Sequence, residues 1–301
     1  MSAGNTTGAQ ARPARQTGQG RGRLERFRVA KAPELAALAA LKERKTPLVP
    51  YAGPRPGFAQ ALTREGRTPL AVIAEFKQAS PSQGPICTSL TVEDVVCAYA
   101  KNGASALSIL TEEQYFAGHI DYLARARRAL DAAGFASMPL LRKDFLFDPL
   151  QIEATAATPA SAFLLIVRQT PDVQDLRALR ELGERHGLEA VVEVFDAEDL
   201  ELARLSGARI IQVNARDLET FAVDRQACLS LKTAAGQAQD EVWIAASGMD
   251  RHEHLCAARN AGYAAALVGT ALMRNGTPGA SLAALLQGAE AQAATCGKGR
   301  E

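Results

Sequence analysis

From residue 70 onward the chain alternates between two hydrophobic patterns. Short runs rich in Val, Ile, Leu and Ala recur: LAVIAEF from residue 70, ALSIL from 106, PLLRKDF from 139, AFLLIV from 162, AVVEV from 190, RIIQVN from 209, EVWIA from 241 and AALVG from 265. Each is almost continuously apolar rather than strictly alternating, the pattern of strands buried on both faces of a parallel sheet. Between them lie segments of helical period with start and stop signals. Thr91 precedes Val92, Val95, Val96 and Tyr99 in a helix ended by Gly103. Asp121 opens a helix closed by Gly134, Asp196 one closed by Gly207, and Asp250 one closed by Gly262. Strand and helix thus alternate eight times.

Eight such repeats leave a closed (β/α)8 barrel or an open doubly wound sheet. The polar residues decide between them. Nearly every apolar run ends in a reactive or anion-binding residue: Glu75 and Lys77, Glu112, Arg142 and Lys143, Glu193, Asn214 and Arg216, Ser247, and Gly269 with Thr270. A barrel gathers the C-terminal ends of its strands at one face, whereas an open sheet spreads them along a line. No G-x-G-x-x-G follows the first strand, which argues further against a dinucleotide fold. The fold class is therefore α/β, a (β/α)8 TIM barrel with an N-terminal helical extension. That extension is read from residues 24–45, where Leu24, Phe27, Leu35, Leu38 and Leu41 stand among charges before the Pro-rich stretch Pro47 to Pro56. The barrel is expected to start after it.

Residues 1–23 contain no acidic residue and almost nothing large and apolar, so they read as a flexible tail. An Arg-rich, acid-poor start also suits an organelle transit peptide, but five glycines and the lack of an apolar helical face argue against one. Residues 24–290 are expected to form one barrel domain, with a C-terminal tail at 291–301. A length of 301 residues leaves no room for a second fused barrel.

Lys plus Arg number 34 against 33 Asp plus Glu, so a polyanion-binding surface over the whole molecule, and with it a nucleic-acid partner, is not expected. The five cysteines, Cys87, Cys97, Cys228, Cys256 and Cys296, are scattered without a C-x-x-C pair, which points to a reducing, cytoplasmic setting. No apolar run approaches the roughly 20 residues of a membrane span, and the N-terminus lacks a secretory h-region.

Closing the barrel brings two lysines, two or three carboxylates, an Asn and an Arg around one mouth. Taken singly, each reads as a solvated loop residue; their recurrence at the same place in successive repeats points to a site. A lysine crowded by another lysine loses basicity and a neighbouring Glu restores it, so such pairs suit proton transfer near neutral pH. Ser247-Gly248 and Gly269-Thr270 end the last two strands, where barrels often bind phosphate through backbone N–H groups, although glycines there also serve tight turns. Phe116, Phe145 and Phe221 follow the second, third and sixth strands, as packing residues or as an apolar wall for an aromatic substrate. His252-Glu253-His254 has no third ligand nearby and reads as an exposed helix turn, and His119 and His186 as surface residues, so no metal is expected.

The blocks IAEFKQASPSQGPI (73–86), SILTEEQYFAG (108–118), LLRKDFLFDPLQI (140–152), LLIV (164–167), VEVFDAEDLELA (192–203), VNARDLETF (213–221), SGM (247–249) and LVGTALMRN (267–275) resemble, in order, indole-3-glycerol phosphate synthase of tryptophan biosynthesis. The resemblance runs from about residue 24 to 290 and implies a cofactor-free carboxy-lyase. Its reaction closes 1-(2-carboxyphenylamino)-1-deoxyribulose 5-phosphate to indole-3-glycerol phosphate, with loss of carbon dioxide and water. By resemblance, Lys143 is the general acid at the ketone, Lys77 the second lysine near the leaving hydroxyl, and Glu193 the general base. Glu75 and Asn214 orient these groups. Arg216 and Ser80 match positions near the substrate carboxylate, Ser247, Gly248, Gly269 and Thr270 the substrate and phosphate cradle, and Phe116, Phe145, Leu164, Phe221 and Leu267 the anthranilate pocket. The substrate is a small sugar phosphate, and other tryptophan-pathway enzymes are the candidate protein partners.

One departure stands out. The family usually reads Glu-Ser-Gly at the end of strand seven, where this chain has Ala246-Ser247-Gly248. Loss of one active-site carboxylate is expected to cost on the order of 2 kcal/mol of transition-state stabilisation. On sequence alone, Ala246→Glu is expected to raise the rate. The alternative reading is an impaired or non-catalytic paralogue that binds the same phosphate ligand. Phosphoribosylanthranilate isomerase, a neighbouring barrel enzyme, is disfavoured because Glu75-Phe76-Lys77 stands where its Cys base belongs.

Overall fold

The computed structural model describes residues 22–64, 70–217, 220–236 and 240–288. The tail expected at 1–23 lies outside these residues except for its last two, which begin a helix, and the tail expected at 291–301 lies wholly outside them.

Three helices precede the barrel: α1 (Gly22–Ala30), α2 (Ala32–Glu43) and α3 (Phe58–Thr63). The barrel then alternates β1 (Ala71–Phe76), α4 (Val92–Lys101), β2 (Ala106–Leu110), α5 (Asp121–Ala132), β3 (Leu140–Lys143), α6 (Pro149–Ala156), β4 (Ala162–Ile166) and α7 (Val173–Arg185). Its second half runs β5 (Glu189–Val194), α8 (Ala197–Ser206), β6 (Ile210–Asn214), α9 (Arg225–Ala235), β7 (Val242–Ala246), α10 (His252–Asn260), β8 (Ala265–Val268), α11 (Thr270–Met273) and α12 (Pro278–Gln287). All eight strands pair in parallel with their sequence neighbours, and β8 returns to β1 through Ala71↔Ala265 to Ala74↔Val268, closing the barrel as the apolar runs predict. A two-rung hairpin, Ala79–Ser80 against Gly84–Pro85, follows β1; its strands are too short for a periodicity signal.

The helix starts follow the capping chemistry in most places. The Thr91 hydroxyl accepts from Asp94 N, and Asp148, Asp172, Asp196 and Asp224 cap their helices in the same manner. Two expected caps differ. Asp121 is the first residue of α5 rather than its cap, where it still complements the positive end of the helix dipole. Asp250 lies two residues before α10, and its carboxylate sits 2.9 Å from His254 Nδ1.

Alternation along each strand divides the core. Outward residues pack against the helices, while Ala71, Ile73, Ala106, Leu141, Ala162, Leu164, Val191, Ile210, Ile244 and Ala265 fill the barrel interior. α3, unforeseen in the Pro-rich approach to the barrel, adds Phe58 and Leu62 to that interior cluster. The Glu189 carboxylate accepts from the first N–H groups of this helix, Phe58 N and Ala59 N. At the mouth, Phe27 of α1 stacks on Phe145 at 4.0 Å between ring centroids. The inward parity that is apolar in the lower layers continues to Glu75, Lys143, Glu193, Asn214 and Ala246 at the C-terminal strand ends.

Candidate active site

One cavity opens at the C-terminal face of the barrel, lined among others by Glu75, Lys77, Lys143, Glu193, Asn214 and Arg216. Lys143 comes from the end of β3 and Glu193 from β5, fifty positions apart in sequence. Their charged atoms meet with Lys143 Nζ 3.7 Å from Glu193 Oε2. Lys77 Nζ lies 2.9 Å from Glu75 Oε1, and the other Glu75 oxygen accepts from Ser108 Oγ at 3.1 Å. The cavity therefore holds two ammonium–carboxylate pairs whose carboxylates are buried while the lysines keep a share of solvent.

Asn214 fixes the orientation of Glu193. Its Oδ1 accepts from Ser247 Oγ at 2.8 Å and from Arg216 N at 3.0 Å, which leaves its Nδ2 to donate to Glu193 Oε1 at 3.1 Å. Ser247 reaches Asn214 from a left-handed backbone conformation, φ 69°, and Phe221 on the neighbouring loop has φ 61°. Non-glycine residues held there are strained, and such strain concentrates where loops present side chains to a ligand. Arg216 donates through Nη1 to Phe221 O at 2.9 Å, and burial pulls its guanidinium below the usual arginine range.

Close approach favours glycine at 269: a Cβ there would press on the buried Glu75 carboxylate, which is held by Lys77 and Ser108. It also begins the short α11, whose first turn has no side-chain cap.

Of the sequence-predicted residues, Lys77, Lys143, Glu75, Glu193, Asn214, Ser80, Phe116, Phe145, Arg216, Phe221, Ser247, Leu267 and Thr270 line the cavity. Leu164 does not. It is fully buried two residues before Ile166, which takes the place on the wall, because the pleat sets successive inward residues at different depths. Gly248 and Gly269 lie beside the lining rather than in it, in the loops that carry Ser247 and Thr270.

Two other strand-end residues leave the site. Glu112 is buried and accepts from the backbone N–H groups of Gln114, Tyr115 and Phe116, so it shapes the loop that carries Phe116. Burial raises its carboxyl above the usual range despite those donors. Arg142 points outward from β3 and is fully buried, bonded to Asp144, Glu34, Thr111 and Thr155. Asp144 also pairs with Lys31 at 2.8 Å, tying the N-terminal helices to the residue after Lys143. His252 and His254 are half-buried and His119 is exposed; among the described residues no cluster of three metal-ligating side chains occurs.

The sequence reading missed Phe27 and Gln212, which both line the cavity. Phe27 is brought in by a tertiary contact that no local spacing encodes. Gln212 carried a signal, since it shares the inward parity of Asn214 inside an otherwise apolar run.

The family model described as indole-3-glycerol phosphate synthase matches residues 24–285. Indole-3-glycerol phosphate synthase of Carboxydothermus hydrogenoformans is 41% identical over 228 residues, 75% of this chain and 83% of the relative. That of Koribacter versatilis is 39% identical over 230 residues, covering 76% and 85%. Among solved structures, 3-hexulose-6-phosphate synthase superposes with a TM-score of 0.55 over 72% of this chain and 99% of that chain; at 13% identity this is a likeness of fold alone.

Proposed function

The chain belongs to the indole-3-glycerol phosphate synthase family, and from that premise we propose how its cavity carries out the family's reaction. It is a carboxy-lyase of tryptophan biosynthesis that closes 1-(2-carboxyphenylamino)-1-deoxyribulose 5-phosphate to indole-3-glycerol phosphate, releasing carbon dioxide and water. Its substrate is a small phosphorylated molecule. No described helix is long and apolar enough to cross a membrane.

In the proposed assignment, the Lys143 ammonium protonates the substrate ketone as the carboxylate-bearing aryl carbon attacks it, and loss of carbon dioxide from that carbon restores the aromatic ring. Glu193 stabilises the cationic intermediate and takes a proton from the methylene carbon beside nitrogen as the hydroxyl departs. Lys77, aligned by Glu75, serves the departure of the hydroxyl as water. Phe27, Phe116, Phe145, Phe221 and Leu267 pack on the anthranilate ring and exclude water, which strengthens each charge interaction inside. Arg216 and Ser80 take the substrate carboxylate. Ser247, Gly248, Gly269 and Thr270 take the phosphate, where the uncapped first turn of α11 offers N–H donors. Residues 24–290 act as one domain.

The observation that carries this reading is the 3.7 Å approach of Lys143 Nζ to Glu193 Oε2 at the barrel mouth. The alternative, a paralogue that binds without turnover, rests on Ala246 alone, and the intact acid–base pair speaks against it. Incubating the purified protein with the carboxyphenylamino ribulose phosphate and following indole fluorescence tests the reading. Turnover is expected, with Lys143→Ala reducing kcat at least about 100-fold. Tight binding with no turnover would instead establish the paralogue.

A further inference from the structure

The inner face of the barrel holds a polar side chain that this mechanism leaves unused. Gln212, in the middle of β6, is fully buried and lines the cavity. It is the register partner of Glu193 on β5. Its Nε2 donates to Glu193 Oε2, the same oxygen that faces the Lys143 ammonium. The orientation of this amide is forced, because turning Oε1 toward the carboxylate would set acceptor against acceptor. With Asn214 on Oε1, both Glu193 oxygens are held by side-chain amides, so the plane of the carboxylate is fixed. Gln212 Oε1, meanwhile, is buried and has no hydrogen-bond partner among the described residues. A fully buried amide left half satisfied is unfavourable for packing alone, which points to a role in the chemistry.

Ala246 lies diagonally across from Gln212 on the same inner face: Asn214 is in register with Ala246, and Gln212 with Ile244. Both line the cavity. A glutamate at 246 would therefore enter next to a base whose two oxygens are already occupied, and would place another anion beside Glu193.

We propose that Gln212 is the positioning residue for Glu193 in this chain, a neutral donor that aligns the base in the absence of an acid at position 246, and that Ala246 is the small neighbour this arrangement requires. The inference rests on the reading of Glu193 as general base. It reverses the expectation drawn from sequence, since Ala246→Glu in the native background now lowers the rate.

The test uses the full-length protein. Gln212→Met keeps the length and bulk of the side chain but removes the donor and the unpartnered oxygen. Its kcat is expected to fall about 10–100-fold with KM changed less than about three-fold and with undiminished thermal stability. Ala246→Glu is expected to lower kcat in the native background but to lower it less, or not at all, when added to Gln212→Ala, where the vacated space lets the new carboxylate stand clear of Glu193. The proposal is overturned if Gln212→Met retains native kcat, if its loss lies in KM alone, or if Ala246→Glu changes kcat by the same factor in both backgrounds. Inertness of the unmutated protein toward the carboxyphenylamino ribulose phosphate would remove the reading of Glu193, and this inference with it; that outcome is read before any variant is made.

Discussion

Asp144 shows how much electrostatic work lies directly behind the reactive lysine. Burial by itself would push this carboxyl up, but the Arg142 guanidinium and the Lys31 ammonium hold it down at about 2. The folded value is below that of the unfolded chain, about 3.9, so the pairing stabilises the fold fully above that pH and its contribution is lost as pH falls toward 2. The shift corresponds to about 2–3 kcal/mol, and urea unfolding followed from pH 5 to pH 2 is expected to reveal it. Asp144→Asn should flatten that part of the profile. At neutral pH the same variant should cost about 3–5 kcal/mol, because Lys31 and Arg142 stay buried with Glu34 as the anion left to both. An unchanged acid profile in the variant would show that other carboxylates govern this range. At this scale the sequence was legible where chemistry is dense: Lys77, Lys143, Glu75 and Glu193 end apolar runs and stand out from them. It was less legible for Arg142, because one residue of displacement along a strand sends a side chain to the opposite face, and for Glu112, which stands beyond the end of β2 and turns back to the N–H groups of its own loop.

The same limits apply to whole elements. The eight strands could be located because apolar runs buried on both faces leave a composition signal that survives without tertiary context. α3 could not, since its six residues gain their stability from docking beneath the barrel rather than from any helical period. α1 and α3 now make a controlled comparison. Phe27 and Phe58 are both buried in the inner cluster, one at the catalytic mouth against Phe145 and Tyr115, the other on the helix anchored by Glu189. Replacing either with Ala should destabilise the fold by about 3–5 kcal/mol, the usual cost of emptying a buried aromatic site. Only Phe27→Ala should also raise KM, by about ten-fold, because it opens the wall proposed to pack on the substrate's aromatic ring. Thermal unfolding and steady-state kinetics on the pair separate the two effects. A KM increase in Phe58→Ala equal to that in Phe27→Ala would mean that α3 transmits its packing to the mouth.

Across the whole barrel, residues that bind the fold together and residues proposed to do chemistry occupy different layers of one interior, and they pull stability in opposite directions. The lower layers are apolar and close-packed, whereas the upper layer buries Glu75 and Glu193 and their ammonium partners. Burying a charge pair costs desolvation that its mutual attraction repays only in part, so the catalytic layer is expected to be the least favourable part of the interior. Removing one partner is worse than keeping both. Lys143→Met leaves the Glu193 carboxylate buried with amide donors alone, and since Lys143 keeps some solvent contact the loss should be about 1–3 kcal/mol, roughly 2–5 °C in Tm for a domain of this size. Adding Glu193→Gln removes the stranded charge, and the new amide can still accept from Asn214 or Gln212 through its one oxygen. The double variant Lys143→Met/Glu193→Gln should therefore be catalytically silent yet melt at or above the native temperature, whereas the single variant melts below it. If the double variant unfolds as early as the single one, the pair contributes to holding β3 against β5 as well as to catalysis, and the division of the barrel into a stabilising floor and a reactive rim would have to be redrawn between those two strands.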